Sequence, residues 1–248
     1  MQVSQIKEAF KKSGIKKNDS IIVHGDAGIA EQIKINKKDK VNFFLNLLIK
    51  LIGEKGSIIV PAFTYNACKT KIFDKQKDKA ETGLFSEIFR KKKNINRTDH
   101  PIFSFSIYGK NFKYFQKASL NTCFGKKSIF EFFLKKNSKI ICLGCELDRI
   151  TFTHYIEEFL NVSYRYHKKF KIFDKNKKKN ITIDYFVRNL NKRSNIDLSK
   201  LHKYLIKKKR IKEINFGRFK LLIVESKHFY NSCIELIKKD KNSLIKQN

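Results

Sequence analysis

At 248 residues, 41% of them apolar, the chain can form one large domain, or one domain with a small lobe, around a sizeable core. Fifty-five basic residues against 23 acidic ones leave a formal charge of +32, which by itself points to an anionic partner such as nucleic acid, a membrane surface or phosphate groups. Only eight of the basic residues are Arg, whose planar fork reads bases, and the Lys excess with its abundant Asn, Ile and Phe is what A/T-rich codons produce, so specific nucleic-acid recognition is not expected.

In chain order, Val3, Ile6 and Phe10 mark a first helix ended by Gly14. Ser20 to Val23 reads as a strand, and His24-Gly25-Asp26-Ala27-Gly28 breaks it with two glycines that admit close backbone approach to a ligand. A helix burying Val41, Phe44, Leu45, Leu48 and Leu51 leads through Gly53 and Gly56 to the strand Ser57 to Val60. This alternation predicts an α/β fold of three layers, helices on both sides of a central, mostly parallel or mixed sheet. A polar loop to Thr82 precedes a helix carrying Leu84, Phe85, Ile88 and Phe89. Phe103, Phe105 and Ile107 then alternate with Ser104, Ser106 and Tyr108 as in a half-buried strand, and His100, before Pro101, lies in extended backbone.

Ser128-Ile129-Phe130-Glu131 has the spacing of a capping box. Its helix N-terminus, preceded by Lys126 and Lys127, suits a phosphate. After Tyr164-Arg165 the chain leaves the core, the Lys175 to Lys179 loop precedes a strand at Ile181 to Val187, and residues 175–248 form an integrated C-terminal lobe of a single 1–248 domain. A helix through Leu198, Leu201 and Leu205, a strand Phe219 to Val224 and a final helix capped by Ser226 complete the lobe. Five cysteines at irregular spacing make no disulfide framework, no signal peptide precedes the first helix, and the most apolar window, Phe43 to Ile52, is too short to span a bilayer. A cytoplasmic protein without a membrane span or a metal site is expected.

The chemistry concentrates in Ile140 to Leu160. Lys139 to Leu143 reads as a buried strand ended by Gly144, and the helix that follows, capped by Asp148 or Thr151, brings Thr151, His154 and Glu157 or Glu158 to one face. Ligands of open α/β sheets gather at the carboxyl ends of strands, so His154 with a carboxylate one turn on is a candidate general base with an orienting partner. The same spacing also describes a surface helix whose His and Glu merely pair.

The run L-D-R-I-T-F-T-H-Y-I-E-E within this unit resembles a segment of the aminoglycoside 3-N-acetyltransferase family, and supporting segments follow in matching order from Gly14, Gly56, Arg97 and Gly125 over roughly residues 5 to 170. The resemblance implies an acetyl-CoA-dependent transfer of an acetyl group to an amine on a sugar. His154 would be the base and Glu157, or failing it Asp148, would hold its ring, while His24 and Asp26 position the amine. Thr64, Tyr65 and Ser104 would contact the cofactor, together with Lys126 and Ser128, and His100, Thr151 and Arg165 would contact the substrate. Phe103 stands where the family often has a second His, which weakens a role for His100. A covalent route through Cys68 or Cys145 is a lesser alternative. The +32 charge repels polycations, so a nucleotide-linked amino sugar, its phosphates held by Arg165, Arg188 and the Lys175 to Lys179 loop, is an alternative acceptor. The sequence leaves homo-oligomerisation open.

Overall fold

The computed structural model describes residues 1–36 and 39–246. Helix α1 (Val3–Ser13), β1 (Ser20–Gly25), α2 (Gly28–Glu31), α3 (Lys40–Ile52), β2 (Ser57–Pro61), α4 (Ala67–Thr70), β3 (Ile72–Phe73), α5 (Leu84–Arg90), β4 (Asn96–Arg97), β5 (Phe105–Gly109) and α6 (Phe112–Phe115) make the first half. The second half comprises α7 (Ile129–Lys136), β6 (Lys139–Leu143), a 3₁₀ turn at Leu147–Arg149, α8 (Phe152–Phe159), β7 (Arg165–Asp174), β8 (Lys179–Arg188), α9 (Ser199–Lys207), β9 (Ile211–Phe216), β10 (Phe219–Glu225) and α10 (Ser226–Lys239).

Seven strands form the central sheet in the order β4-β5-β2-β1-β6-β10-β9. Its middle, β2-β1-β6, is parallel, and antiparallel strands finish both edges, so the sheet is mixed. The near-continuous apolar runs of the inner strands follow from burial on both faces. Because side chains alternate along a strand, Ile22, Ile59, Ile140, Cys142, Leu222 and Val224 enter one core, whereas Ile21, Val23, Ile58, Val60, Ile141, Leu143, Leu221 and Ile223 enter the other. The first core is closed by the inner faces of α7, α8, α9 and α10, the second by those of α1, α2, α3 and α5. Three layers result, and β9 and β10 carry the C-terminal segment into the central sheet.

Several local expectations are corrected. The chain does not leave the core at Arg165: that residue is buried and opens β7, which pairs with β8 over ten residues, and the Lys175 to Lys179 loop is the turn of this hairpin. β3 joins β7 to complete a three-stranded second sheet. Ser104, just before β5, and Ser106 within it are both fully buried, since this stretch is covered on both sides and its serines are not a solvent face. Ser128 and Thr151 stand at the N-caps of α7 and α8 without a side-chain capping bond. Glu131 reaches Lys127 N instead of completing the box, and Asp148 accepts from Leu198 N. Ser226 is the first residue of α10, not its cap, and donates to Phe133 O. Gly25 is required by packing: a Cβ there would lie 2.9 Å from the Phe85 ring.

Candidate active site

β1 and β6 run parallel and end side by side, with His24 opposite Cys142. From the end of β6 the chain passes through the 3₁₀ turn into α8, whose Phe152, Tyr155 and Ile156 are spaced to bury against the sheet and α10. That anchoring turns His154 and Glu157 toward the start of β7. His154 is partly exposed, while Glu157 is fully buried.

His154 Nδ1 lies 2.7 Å from Glu157 Oε2. Arg165 comes in from β7, with Nε 2.7 Å from the same carboxylate oxygen and Nη2 2.9 Å from His154 Nδ1. No described residue bonds His154 Nε2. Burial opposes the charge on Glu157, but the His154 ring, Arg165 and the Tyr164 hydroxyl outweigh it and draw the carboxyl below its usual range. Burial, reinforced by the Arg165 charge and opposed by Glu157, draws His154 below the ordinary histidine value, which favours a neutral ring. The edge-on Phe124 ring covers the imidazole with centroids 5.3 Å apart and belongs to an aromatic cluster with Phe103 and Tyr185.

One turn beyond His154, Glu158 carries a second carboxyl pushed up to about 7, chiefly by burial; His167 opposes the shift and Asp184 adds to it. Glu158 Oε2 and Asp184 Oδ1 are buried without a hydrogen-bond partner, and Asp184 Oδ2 is 2.9 Å from His167 Nδ1. A Cβ on Gly125 would approach Glu158 Oε1 to 2.6 Å, so this carboxyl abuts the loop that carries Phe124.

The remaining candidates divide between this centre and its scaffold. His100 holds the Phe124 loop, with Nε2 3.1 Å from Thr122 O, while Nδ1 accepts from Ile102 N and Phe103 N. Burial draws its pKa down to about 4, and both ring nitrogens are engaged inside the fold. Thr64 and Ser104 accept from the buried guanidinium of Arg97, which also donates to the carbonyls of Ala62, Lys75 and Asp78. Tyr65 is exposed and packs on Phe63 and Phe103. His24, nearly buried at the end of β1, is drawn down to about 4 by burial. Asp26 Oδ1 accepts from Gly28 N at 2.7 Å, and Asp148 is occupied with Leu198, away from the imidazole. Thr151 is the N-cap of α8 and accepts from His154 N through its carbonyl. Ser128 Oγ is buried and unpartnered at the start of α7, beside exposed Lys126. Cys145 Sγ donates to His24 O at 3.3 Å, and burial pushes Cys68 up to about 11. All five cysteines are free, and among the described residues no His, Cys, Asp and Glu group is arranged to hold a metal.

Sequence reasoning missed the grip of Arg165 on the His154 and Glu157 pair and the Glu158, Asp184 and His167 cluster. Both depend on β7 and β8 folding back over α8. The alternation of Phe170 and Ile172 with Lys169 and Lys171 was the one available signal, and a weak one.

Comparison with solved structures places this architecture among acetyltransferases of known fold. The AAC-IIIb binary complex with CoASH aligns with a TM-score of 0.80 at 15% identity, covering 96% of this chain and 97% of the other. The aminoglycoside acetyltransferase AAC(3)-IVa apoenzyme gives 0.81 at 16% over 98% and 91%, and AAC-VIa bound to sisomicin gives 0.80 at 16% over 96% and 98%. A comparison with curated protein sequences finds no match. The sequence profile of the aminoglycoside 3-N-acetyltransferase family matches residues 23–238, and over that span, nearly the whole folded chain, the protein belongs to the aminoglycoside 3-N-acetyltransferase family.

Proposed function

We propose that the chain is an acetyl-CoA-dependent N-acetyltransferase acting on an amino group of an aminoglycoside, with His154 as general base. The observation that carries this reading is the tie of His154 Nδ1 to buried Glu157, which leaves Nε2 without a partner among the described residues. With the ring neutral and its proton on Nδ1, Nε2 accepts a proton from the acceptor amine as the nitrogen becomes a nucleophile. Glu157 draws the ring proton to Nδ1, in competition with the Arg165 Nη2 donor 2.9 Å from the same nitrogen, and stabilises the imidazolium that forms, which then returns the proton to the departing thiolate. Acetyl-CoA supplies the activated acyl group as a thioester. The residues that fit it are Ser128, with its unbonded hydroxyl at the start of α7, and neighbouring Lys126, with Tyr65 exposed nearby in sequence to buried Thr64. A cytoplasmic location belongs to the same proposal, in keeping with five free thiols.

The cationic acceptor is supported by Glu158 and Asp184, whose buried oxygens lack partners one turn from the base and suit additional ammonium groups. The surplus of +32 favours the other acceptor class, an amino sugar on a nucleotide diphosphate. Both arginines assigned to its phosphates are engaged elsewhere, Arg165 with Glu157 and Arg188 with Asn195, and Lys177 of the hairpin turn pairs with Asp99. CoA release should be measured with acetyl-CoA against sisomicin, gentamicin, kanamycin and nucleotide-linked amino sugars. The expected result is turnover of at least one aminoglycoside with an N-acetylated product by mass spectrometry. Turnover confined to nucleotide-linked sugars would establish the phosphate-bearing class, and transfer to no amine would reject the proposal.

A further inference from the structure

Resting on that reading, the surroundings of the base carry one step more. Glu157 is fully buried, and a lone carboxylate 2.7 Å from an imidazole favours the protonated ring. Such a pair would rest with Nε2 already occupied by a proton and unable to accept another. Arg165 stands against that outcome. Its guanidinium stays charged at any working pH, touches the same carboxylate oxygen, and places Nη2 2.9 Å from the nitrogen that would share the imidazolium charge. Its orientation is fixed by burial and by Nη1 donating to Phe186 O at 3.4 Å on the neighbouring strand.

We propose that Arg165 is a positioning residue of the transfer reaction, a fixed buried charge that balances Glu157 and keeps the His154 ring in its proton-accepting form. It acts through the ring and the carboxylate and not on substrate. The titratable groups near His154 on the elements packed around it include Glu157 and Glu158 of α8, Tyr164 and, from β7, Arg165 and His167, and Asp184 and Tyr185 of β8. Of these, Arg165 and Glu157 are the charges that bear on the ring, in opposite directions. With both present their charges cancel, and the proton arriving from the amine makes the first net charge of the buried group. Loss of Arg165 leaves Glu157 uncompensated, and the ring takes its proton from solvent instead.

The test combines a titration and a rate profile. The histidine ring nitrogens of the protein, six residues with His154 assigned by its absence in His154→Asn, are followed by ¹⁵N NMR from pH 5 to 9 in the unsubstituted protein, Arg165→Gln and Arg165→Lys. His154 is expected neutral with its proton on Nδ1 at pH 7, with a midpoint below 6.5. In Arg165→Gln the midpoint should rise by about one pH unit or more, the size of shift a close charge produces, and in Arg165→Lys it should stay near the unsubstituted value. The acid limb of kcat/KM should move upward by the same amount. A midpoint unchanged in Arg165→Gln, a rate lowered by one factor at every pH, or a rise in KM alone for a phosphate-bearing acceptor would overturn the proposal. Should Arg165→Gln not fold, the unsubstituted protein still decides, since a His154 midpoint at or above 6.5 contradicts it. The titration needs no acceptor, so failure of the proposed reaction and failure of the role of Arg165 are read separately.

Discussion

At the scale of single residues, the hydroxyls of Thr64 and Ser104 are engaged by one buried cation. Arg97 makes five hydrogen bonds, three to carbonyls and two to the hydroxyls of Thr64 and Ser104, and its directly bonded partners include no carboxylate. It clips the loop after β2 to the start of β5. Arg97→Met keeps comparable length but strips donors from buried acceptors, each costing about 1–3 kcal/mol when left unsatisfied. The expected loss is at least about 3 kcal/mol, or roughly 10 °C in thermal midpoint for a chain of this size. Melting by circular dichroism checks this, and a midpoint within about 2 °C of the unsubstituted protein would show that water replaces the guanidinium at little cost. Sequence reasoning gave Thr64 and Ser104 to the cofactor and His100 to the substrate, but it could not reveal that all three bond inside the fold. A hydroxyl beside a strand end looks the same whether it faces a ligand or a guanidinium arriving from more than thirty residues away.

At the scale of elements, α8 and the β7-β8 hairpin together frame the candidate site. The helix was legible because Phe152, Tyr155 and Ile156 repeat at helical spacing and leave His154, Glu157 and Glu158 around the rest of the turn. The inner strands were legible because burial on both faces leaves uninterrupted apolar runs at Ile21–Val23, Ile58–Val60 and Ile140–Leu143. β7 was hidden by Lys168, Lys169 and Lys171, which project outward and mask the buried Ile172, so a strand read as a charged exit from the core. Glu158 therefore gained its neighbours Asp184 and His167 only in three dimensions. Glu158→Gln preserves size and removes a charge. With a polyamine acceptor it should raise KM about tenfold or more, the scale of a hydrogen bond to a charged group, and change kcat much less. Steady-state kinetics in both substrates check this, and an unchanged KM would mean that the acceptor does not reach this carboxyl.

At the scale of the whole molecule, charge and site point in opposite directions. The net +32 is carried mainly by Lys on exposed helix and hairpin positions, where salt screens it within a Debye length of about 8 Å. Inside the fold, Arg165 balances Glu157, while Glu158 and Asp184 add carboxyls at the same junction of helix and hairpin with His167 as a basic neighbour, so the local field beside His154 differs from the field of the surface. Among the described residues no helix is long and apolar enough to cross a membrane. The central claim is that His154 Nε2 removes the proton that frees the acceptor amine. Its most direct test is acetyl transfer by His154→Ala, measured beside the unsubstituted enzyme with saturating acetyl-CoA and the best aminoglycoside acceptor, with folding checked by circular dichroism. The account predicts turnover lowered by at least about 100-fold in a protein that keeps its fold. Turnover within a few-fold of the unsubstituted enzyme would contradict it.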